Sequence, residues 1–275
     1  MTDEARNILV VAHGRRPDTV GAAARVIGAL RDAGATPVLS SDDRAELDSA
    51  IPGPLATLGA DVAVADIELA IVLGGDGTIL RAAELVREGS APVLGINMGH
   101  VGFLAEIERD DMDEAVRRVI DRDYTVEERL ALQVRIKDRD EQVIYETWAL
   151  NEATVEKASR ERMLEVVIEI DGRPLSSFGC DGIVVSTPTG STAYNFSAGG
   201  PVIWPGVEAI AVVPLSAHAL FAKPLVIAPE HTVAVELLER TNGTGILWCD
   251  GRRSHDLPAG ARVVVRRSER PVRLA

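Results

Sequence analysis

The sequence predicts an α/β N-terminal domain with a Rossmann-like parallel sheet, followed by an all-β, sandwich-like C-terminal domain. Three observations carry this. In the first half, apolar runs without alternation stop at glycines and alternate with amphipathic stretches, the pattern of a parallel sheet with helices on both sides. From about Tyr124 the strands become short and closely spaced, with polar turns such as Asp171-Gly172 between them. The chain is also long enough, at 275 residues with 46% apolar content, to bury two cores. The expected domains are 1–125 and 126–275, the last residues forming a basic tail or edge strand that can pack back on the first domain.

Asn7–Ala12 reads as the first parallel strand, ending at His13-Gly14-Arg15-Arg16. Residues 18–33 carry helical spacing through Val20, Ala24, Ile27 and Leu30, and stop at Gly34, a natural C-cap. Thr36–Leu39 is a short second strand. Residues 40–60 are acidic and loop-like, with weak helix over Arg44–Ala50. Leu69–Leu73 is a buried strand, Leu80–Val86 a helix, Pro92–Asn97 a strand, and 111–121 a helix with Met112, Ala115, Val116 and Val119 on one face. In the second half, strands are expected over Leu130–Lys137, Val143–Leu150, Met163–Ile170, Ile183–Ser186, Ile210–Val213, Leu225–Ala228, Thr232–Leu238, Gly245–Cys249 and Arg262–Arg266.

Composition narrows the partners. A net charge of −13 argues against nucleic acid or an anionic membrane. An anionic small molecule remains compatible, because backbone N–H groups, arginines and a divalent cation can reverse the field locally. Only three of the 29 basic residues are lysines (Lys137, Lys157 and Lys223), and no P-loop occurs. Two cysteines, Cys180 and Cys249, offer neither metal spacing nor a disulfide framework, which suits a reducing cytoplasm. The acidic start, Met1-Thr2-Asp3-Glu4, does not resemble a targeting leader. The apolar segment Ala209–Ala222 is short and holds Pro214, Ser216 and His218, so it is read as buried, not membrane-spanning.

The chemistry is concentrated in two stretches. In the first, the strand Leu69–Leu73 stops at Gly74-Gly75-Asp76-Gly77-Thr78. Glycines let the backbone approach a ligand closely, and the C-terminal end of a parallel strand followed by a helix start is where α/β sheets bind phosphates. Asp76 there could hold a metal, accept a proton from a hydroxyl, or simply make an Asp-Gly turn. Gly95, Gly99 and Gly102 lack dinucleotide-fingerprint spacing and serve close packing as readily as a ligand loop.

The second stretch runs from Gly179 to Tyr194: Gly-Cys-Asp-Gly-Ile-Val-Val-Ser-Thr-Pro-Thr-Gly-Ser-Thr-Ala-Tyr. A strand enters a loop of hydroxyls, then a short helix over Thr192–Ala198. This is either an anion or ribose site or a Ser/Thr-capped helix start. Asn151-Glu152, an amide beside a carboxylate, could read an adenine edge and ribose hydroxyls or be polar surface.

Taken in order, Gly-Gly-Asp-Gly-Thr, Leu150-Asn151-Glu152, the Asp181–Tyr194 run and Ser197-Ala198-Gly199-Gly200-Pro201-Val202 resemble the NAD kinase family over nearly the whole chain. Gly-Gly-Asp-Gly alone is shared with diacylglycerol-type lipid kinases and phosphofructokinases; the Thr187–Tyr194 run is far more specific. The resemblance implies phosphoryl transfer from ATP, or inorganic polyphosphate, to the 2′-hydroxyl of the adenosine ribose of NAD, giving NADP. It implies Asp76 as proton acceptor, with Gly77 touching the nucleotide and Arg81 near its phosphates. Asn151 and Glu152 would hold adenosine. Arg162 and Asp181 would contact the dinucleotide, and Thr192, Ala193, Tyr194, Asn195, Phe196 and Ser197 would line the adenine end. Gly74, Gly75 and Gly77 would bind phosphate through N–H groups, with a divalent ion, Mg²⁺ by preference, on the donor phosphates. A homodimer or homotetramer built through the β-rich half is also implied. Ala217 replaces a frequent proline and Arg252 a frequent glutamine of the family pattern. The alternatives are a lipid kinase, which would want a basic amphipathic helix absent from this sequence, and a non-catalytic dinucleotide sensor.

Overall fold

The computed structural model describes residues 6–12, 16–47, 50–99, 102–104, 107–159, 163–217, 223–239 and 244–275. The chain divides into two compact units, one comprising the residues up to Glu128 together with Val272–Ala275, the other Arg129–Pro271.

The first unit is built on the strands β1 (Asn7–Ala12), β2 (Thr36–Leu39), β3 (Ala56–Thr57), β4 (Ile67–Leu73), β5 (Val93–Asn97), β6 (Ile107–Glu108) and β7 (Glu127–Arg129). With the strand Val272–Leu274 they form one sheet of order β3-β2-β1-β4-β5-(272–274)-β7, β6 adding to β5. The pairs β1–β2, β1–β4, β4–β5 and β2–β3 are parallel. Strand order reverses between β1 and β4, so the C-terminal end of β4 lies at the topological switch point, where open α/β sheets bind ligands. Leu69, Ile71 and Leu73 share a buried cluster with α1 (Pro17–Asp32) and α4 (Met112–Asp121). Ala70 and Val72, on the other face of β4, are equally buried. The helix α3 (Asp76–Leu85) packs on β1, β4 and β5 with Ile79, Leu80, Ala82 and Ala83 buried. Burial on both faces explains the absence of alternation in β4.

Three expectations need correction here. The acidic stretch after β2 begins a helix, α2 (Ser41–Leu47), three residues earlier than expected. Ser40 caps it, accepting the Asp43 N–H at 3.1 Å and donating to the Asp43 carboxylate at 2.8 Å. The helix α3 begins at Asp76 itself rather than near Leu80. The C-terminal segment is no edge: Val272–Leu274 lies between β5 and β7, with Leu274 paired to Val93 in parallel.

The second unit contains β8 (Leu132–Lys137), β9 (Val143–Ala149), β10 (Glu152–Lys157), β11 (Leu164–Ile170), β12 (Arg173–Cys180), β13 (Gly182–Ser186), β14 (Ile210–Leu215), β15 (Leu225–Ile227), β16 (Val233–Leu237), β17 (Gly245–Cys249), β18 (Arg253–Leu257) and β19 (Arg262–Arg267). They make two six-stranded antiparallel sheets, ordered β15-β14-β13-β10-β17-β18 and β12-β11-β16-β19-β8-β9. One apolar cluster draws on both sheets, for example Leu132, Val134 and Ile136 of β8 with Ile183 and Val185 of β13. That is sandwich packing, and the alternation in β8 (Leu132, Gln133, Val134, Arg135, Ile136, Lys137) is its sequence trace. Asp171 and Gly172 join β11 to β12 with φ of 52° and 73°, the left-handed pair that a tight hairpin requires.

Candidate active site

In the first unit the glycine turn is shorter than its sequence suggests. Gly74 donates its N–H to Ile96 O at 3.0 Å, so it cannot give that donor to a phosphate. This corrects the expectation for Gly74. Gly75 caps α3, its carbonyl accepting the Thr78 and Ile79 N–H groups at 2.9 and 3.2 Å. The Asp76 and Gly77 N–H groups, in the first turn, have no intrahelical acceptor and lie at the positive end of the helix dipole. Gly77 is exposed.

Asp76 is partly exposed, and its two carboxylate oxygens are held separately. Oδ1 accepts the Leu104 N–H and Oδ2 the Phe103 N–H, both at 3.1 Å. Gly102 makes this approach possible: a Cβ there would stand 2.4 Å from Oδ1. Residues 102–104 therefore belong to the site, a role for which the glycine string was too weak a signal. Arg81, one turn along α3, forms an ion pair with Asp43 at 2.6 Å and also donates to Ala12 O at 3.1 Å. Burial pushes the Asp43 carboxyl up, while the Arg81 hydrogen bond and charge pull it down.

In the second unit, the chain crosses from β9 to β10 at Leu150-Asn151-Glu152, and this crossing is gripped from two directions. Asp250 accepts the N–H groups of Leu150, Asn151 and Glu152 at 3.0, 2.7 and 3.4 Å, and Arg253 Nη2 at 2.7 Å. From the other direction, Thr187 donates its N–H to Asn151 O at 2.9 Å and its hydroxyl to Leu150 O at 2.5 Å. Gly190 packs on the same peptide: a Cβ would stand 2.0 Å from Asn151 O. The hydroxyl-rich loop thus spends Thr187 on holding Asn151 in place. Ser191 is spent similarly, donating to Pro188 O at 2.6 Å and accepting the Ile203 N–H at 2.9 Å.

Asn151 and Glu152 are both buried. Burial, then the Asp250 charge, push the Glu152 carboxyl up to about 8, against a hydrogen bond from the Tyr194 backbone. Tyr194 is raised as well, by its burial and by the charges of Glu156, Glu152 and Asp181. The second unit therefore brings Glu152, Asp181 and Tyr194 together. Asp181 pairs with Lys157 at 2.5 Å. The expected single helix over Thr192–Ala198 is two pieces, a 3₁₀ turn at Thr189–Thr192 and a helix at Tyr194–Ser197, broken at Ala193. Thr192 and Ala193 are half-buried, and Tyr194, Phe196 and Ser197 are exposed.

Asn195, expected at the adenine end, is built into the loop. It is fully buried, and its amide donates to Ser191 O at 3.2 Å and Pro201 O at 3.1 Å. Its side-chain N–H₂ braces the loop from inside, while its Oδ1 is buried without a partner. Arg162 and His218 lie outside the described residues. Among the described residues, no group of three or more His, Cys, Asp or Glu could hold a metal ion.

Residues 21–124 match the family model of the ATP-NAD kinase N-terminal domain, and 150–275 that of the ATP-NAD kinase C-terminal domain. A curated relative from Leifsonia xyli subsp. xyli, named NAD kinase, is 65% identical over 98% of this chain and 89% of its own length. Another of that name, from Thermobifida fusca, is 55% identical over 98% of this chain and 84% of its own. Among solved structures, an Archaeoglobus fulgidus NAD kinase in complex with ATP matches with a TM-score of 0.73 at 26% identity, covering 98% of this chain and 92% of that one. Yeast NADH kinase complexed with NADH shares the fold at a TM-score of 0.88 and 24% identity, over 99% of this chain and 84% of that one. With both domain models matched in order along one chain, and relatives this close over nearly its full length, the chain belongs to the NAD kinase family.

Proposed function

We propose that this chain transfers the γ-phosphoryl group of ATP to the 2′-hydroxyl of the adenosine ribose of NAD, giving NADP and ADP. The observation that carries this reading is Asp76, a carboxylate at the switch point of the parallel sheet, fixed by two backbone N–H groups yet partly exposed. Phosphoryl transfer needs little covalent help from the protein; positioning and charge neutralisation do most of the work. In this reading Asp76 orients the hydroxyl and takes its proton as the new O–P bond forms and the bond to ADP breaks. The Asp76 and Gly77 N–H groups face the phosphates. Asn151 and Glu152 hold the adenosine, with Asp181, Thr192, Ala193 and Tyr194 beside them.

ATP as donor is supported by the ATP bound to the Archaeoglobus relative. The divalent ion, Mg²⁺ by preference, is proposed to arrive on the donor phosphates, since Mg²⁺ is commonly carried by phosphates with few protein ligands. Assembly into a homodimer or homotetramer through the β-rich unit is supported by the exposed apolar side chains of Phe196, Val202, Trp204 and Val207. Two buried free cysteines suit a cytoplasmic setting. No helix among the described residues is long and apolar enough to cross a membrane.

The test is the purified protein with Mg²⁺, NAD and either ATP or polyphosphate, scored with an NADP-specific dehydrogenase. NADP formation with ATP is expected. NAD binding without ATP-dependent product would overturn the reading in favour of a sensor.

A further inference from the structure

We propose that Asp250 is a positioning residue for nucleotide binding, one carboxylate that fixes the backbone of Asn151–Glu152 and sets the hydrogen-bonding state of the Glu152 side chain. This rests on the reading above, in which Asn151 and Glu152 hold the adenosine of NAD.

Sequence explains how the carboxylate gets there. Asp250 and Gly251 both adopt left-handed backbone, with φ of 54° and 63°, and Arg252 N–H closes the turn onto Cys249 O at 3.1 Å. Asp tolerates that conformation better than most side chains. The turn ends β17, which pairs with β10 through Cys249 opposite Ala153, so Asp250 falls directly beside Glu152. Its own N–H donates to Glu152 O at 3.0 Å. Its carboxylate then takes three consecutive peptide N–H groups and one guanidinium. Arg253 is itself fixed, its guanidinium 4.5 Å from the centroid of the Trp148 ring it covers. Only an ionised carboxylate has two oxygens free to accept four donors. An Asn of the same shape would turn an N–H₂ towards one side of that group and leave donors facing donors.

The second half of the inference concerns what Glu152 is left to do. Glu152 Oε2 is buried without a partner, and so is Ser186 Oγ on the facing residue of β13. Two open polar atoms on register-paired residues are unusual in a folded interior, and they point to a group that the chain itself does not supply. Four donors converge on Asp250, whereas the Tyr194 backbone supports Glu152. Burial raises both carboxyls, but at Asp250 the three peptide N–H groups and the Arg253 charge oppose it, so this donor set places the charge on Asp250 and the proton on Glu152. A protonated Glu152 can donate to a ribose oxygen while Ser186 accepts or donates beside it. Asp250, Glu156 on the same strand and the Tyr194 N–H are the groups that act on this carboxyl.

The experiment uses the full chain with Asp250→Asn and Arg253→Gln, each checked by thermal melting, with KM for NAD, KM for ATP and kcat followed across neutral to alkaline pH. Folded Asp250→Asn is expected to raise KM for NAD ~10-fold or more, on the scale of lost hydrogen bonds to a charged group, with KM for ATP unchanged. Wild type is expected to show a limb in KM for NAD near pH 8, and Asp250→Asn to move it to lower pH, because the like charge beside Glu152 is gone. Arg253→Gln, which leaves the carboxylate in place, is expected to give a smaller rise in KM for NAD. If Asp250→Asn does not fold, Arg253→Gln decides. Folded variants with wild-type KM for NAD and an unmoved limb would overturn the inference while leaving NAD phosphorylation intact. Wild-type protein that neither binds nor phosphorylates NAD would overturn the parent reading, and this one with it.

Discussion

Asp76 in the first unit and Asp250 in the second are both carboxylates that accept backbone N–H groups, and they are used in opposite ways. Asp76 sits at a helix start, partly exposed, with one donor on each oxygen. Its remaining lone pairs can meet an incoming hydroxyl. Asp250 is buried, and four donors saturate it. It has nothing left for a substrate, so its effect must pass through the residues it holds. The number of donors and the exposure of the oxygens, more than the residue type, separate a carboxylate that can do chemistry from one that maintains geometry.

The sharpest way to break this contrast is Asp76→Asn. It is expected to lower kcat by ~10²–10⁴ while leaving the melting temperature and NAD affinity close to wild type. Near-normal turnover would place the proton acceptor elsewhere. Gly102→Ala asks the same question from the other side of the hydrogen bonds, since the new methyl must displace the Asp76 carboxylate. A loss of ~10² in kcat is expected from such a shift, with little change in stability.

In the second unit the matching change is Gly190→Ala, where the new methyl meets backbone instead of a movable side chain. It should destabilise by about 1–3 kcal/mol in a denaturant titration and raise KM for NAD more than KM for ATP. An unaffected melt would mean that the loop can shift away from Asn151 freely.

Glu152 allows a test by pH alone. Its folded pKa of about 8 lies above its ordinary value of 4.5, so folding retains a proton across that window. Stability should therefore fall as pH rises from about 4.5 through about 8, and Glu152→Gln should flatten that slope. The smallest effect belongs to Glu68 at the far end of β4. Burial raises its carboxyl, but hydrogen bonds from Arg6 and Arg122 outweigh this and hold it down to about 2. Its contribution is present above the ordinary 4.5 and is lost as pH falls towards 2. Glu68→Gln should cost ~1 kcal/mol or less at neutral pH, measurable by denaturant melting.

Much of this was legible in sequence where a single local rule dominates. Buried runs such as Ile8–Ala12 and Leu69–Leu73, and the alternation of Leu132–Lys137, follow directly from the faces they bury. The strands β10, β12 and β18 were not, for different reasons. Glu152–Lys157 is an interior strand written with charged residues at both ends. Arg173–Cys180 and Arg253–Leu257 are edge strands, where pairing on one side suffices and Pro174 is tolerated. Ser40, which starts α2, acts through a capping hydrogen bond that hydrophobic periodicity does not register.

The site divides in the same way. Asp76 and Asn151–Glu152 stand out as motifs, but the partners that fix them lie 27 and about 100 residues away along the chain. Phe103 and Leu104 act through N–H groups that every residue but proline carries, so no side-chain pattern could announce them. Asn195 shows the reverse: a polar residue inside a nucleotide-binding motif whose side-chain N–H₂ the fold uses on its own loop. Gly74 is spent likewise, on Ile96 of the neighbouring strand.

The most direct test of the proposed chemistry replaces the substrate and leaves the protein intact. NAD lacking only the adenosine 2′-hydroxyl, offered with Mg-ATP, should still bind, as read by calorimetry, and should yield no phosphorylated dinucleotide. Phosphorylated product from that analogue would mean that another hydroxyl accepts the phosphoryl group, contradicting the role given to Asp76.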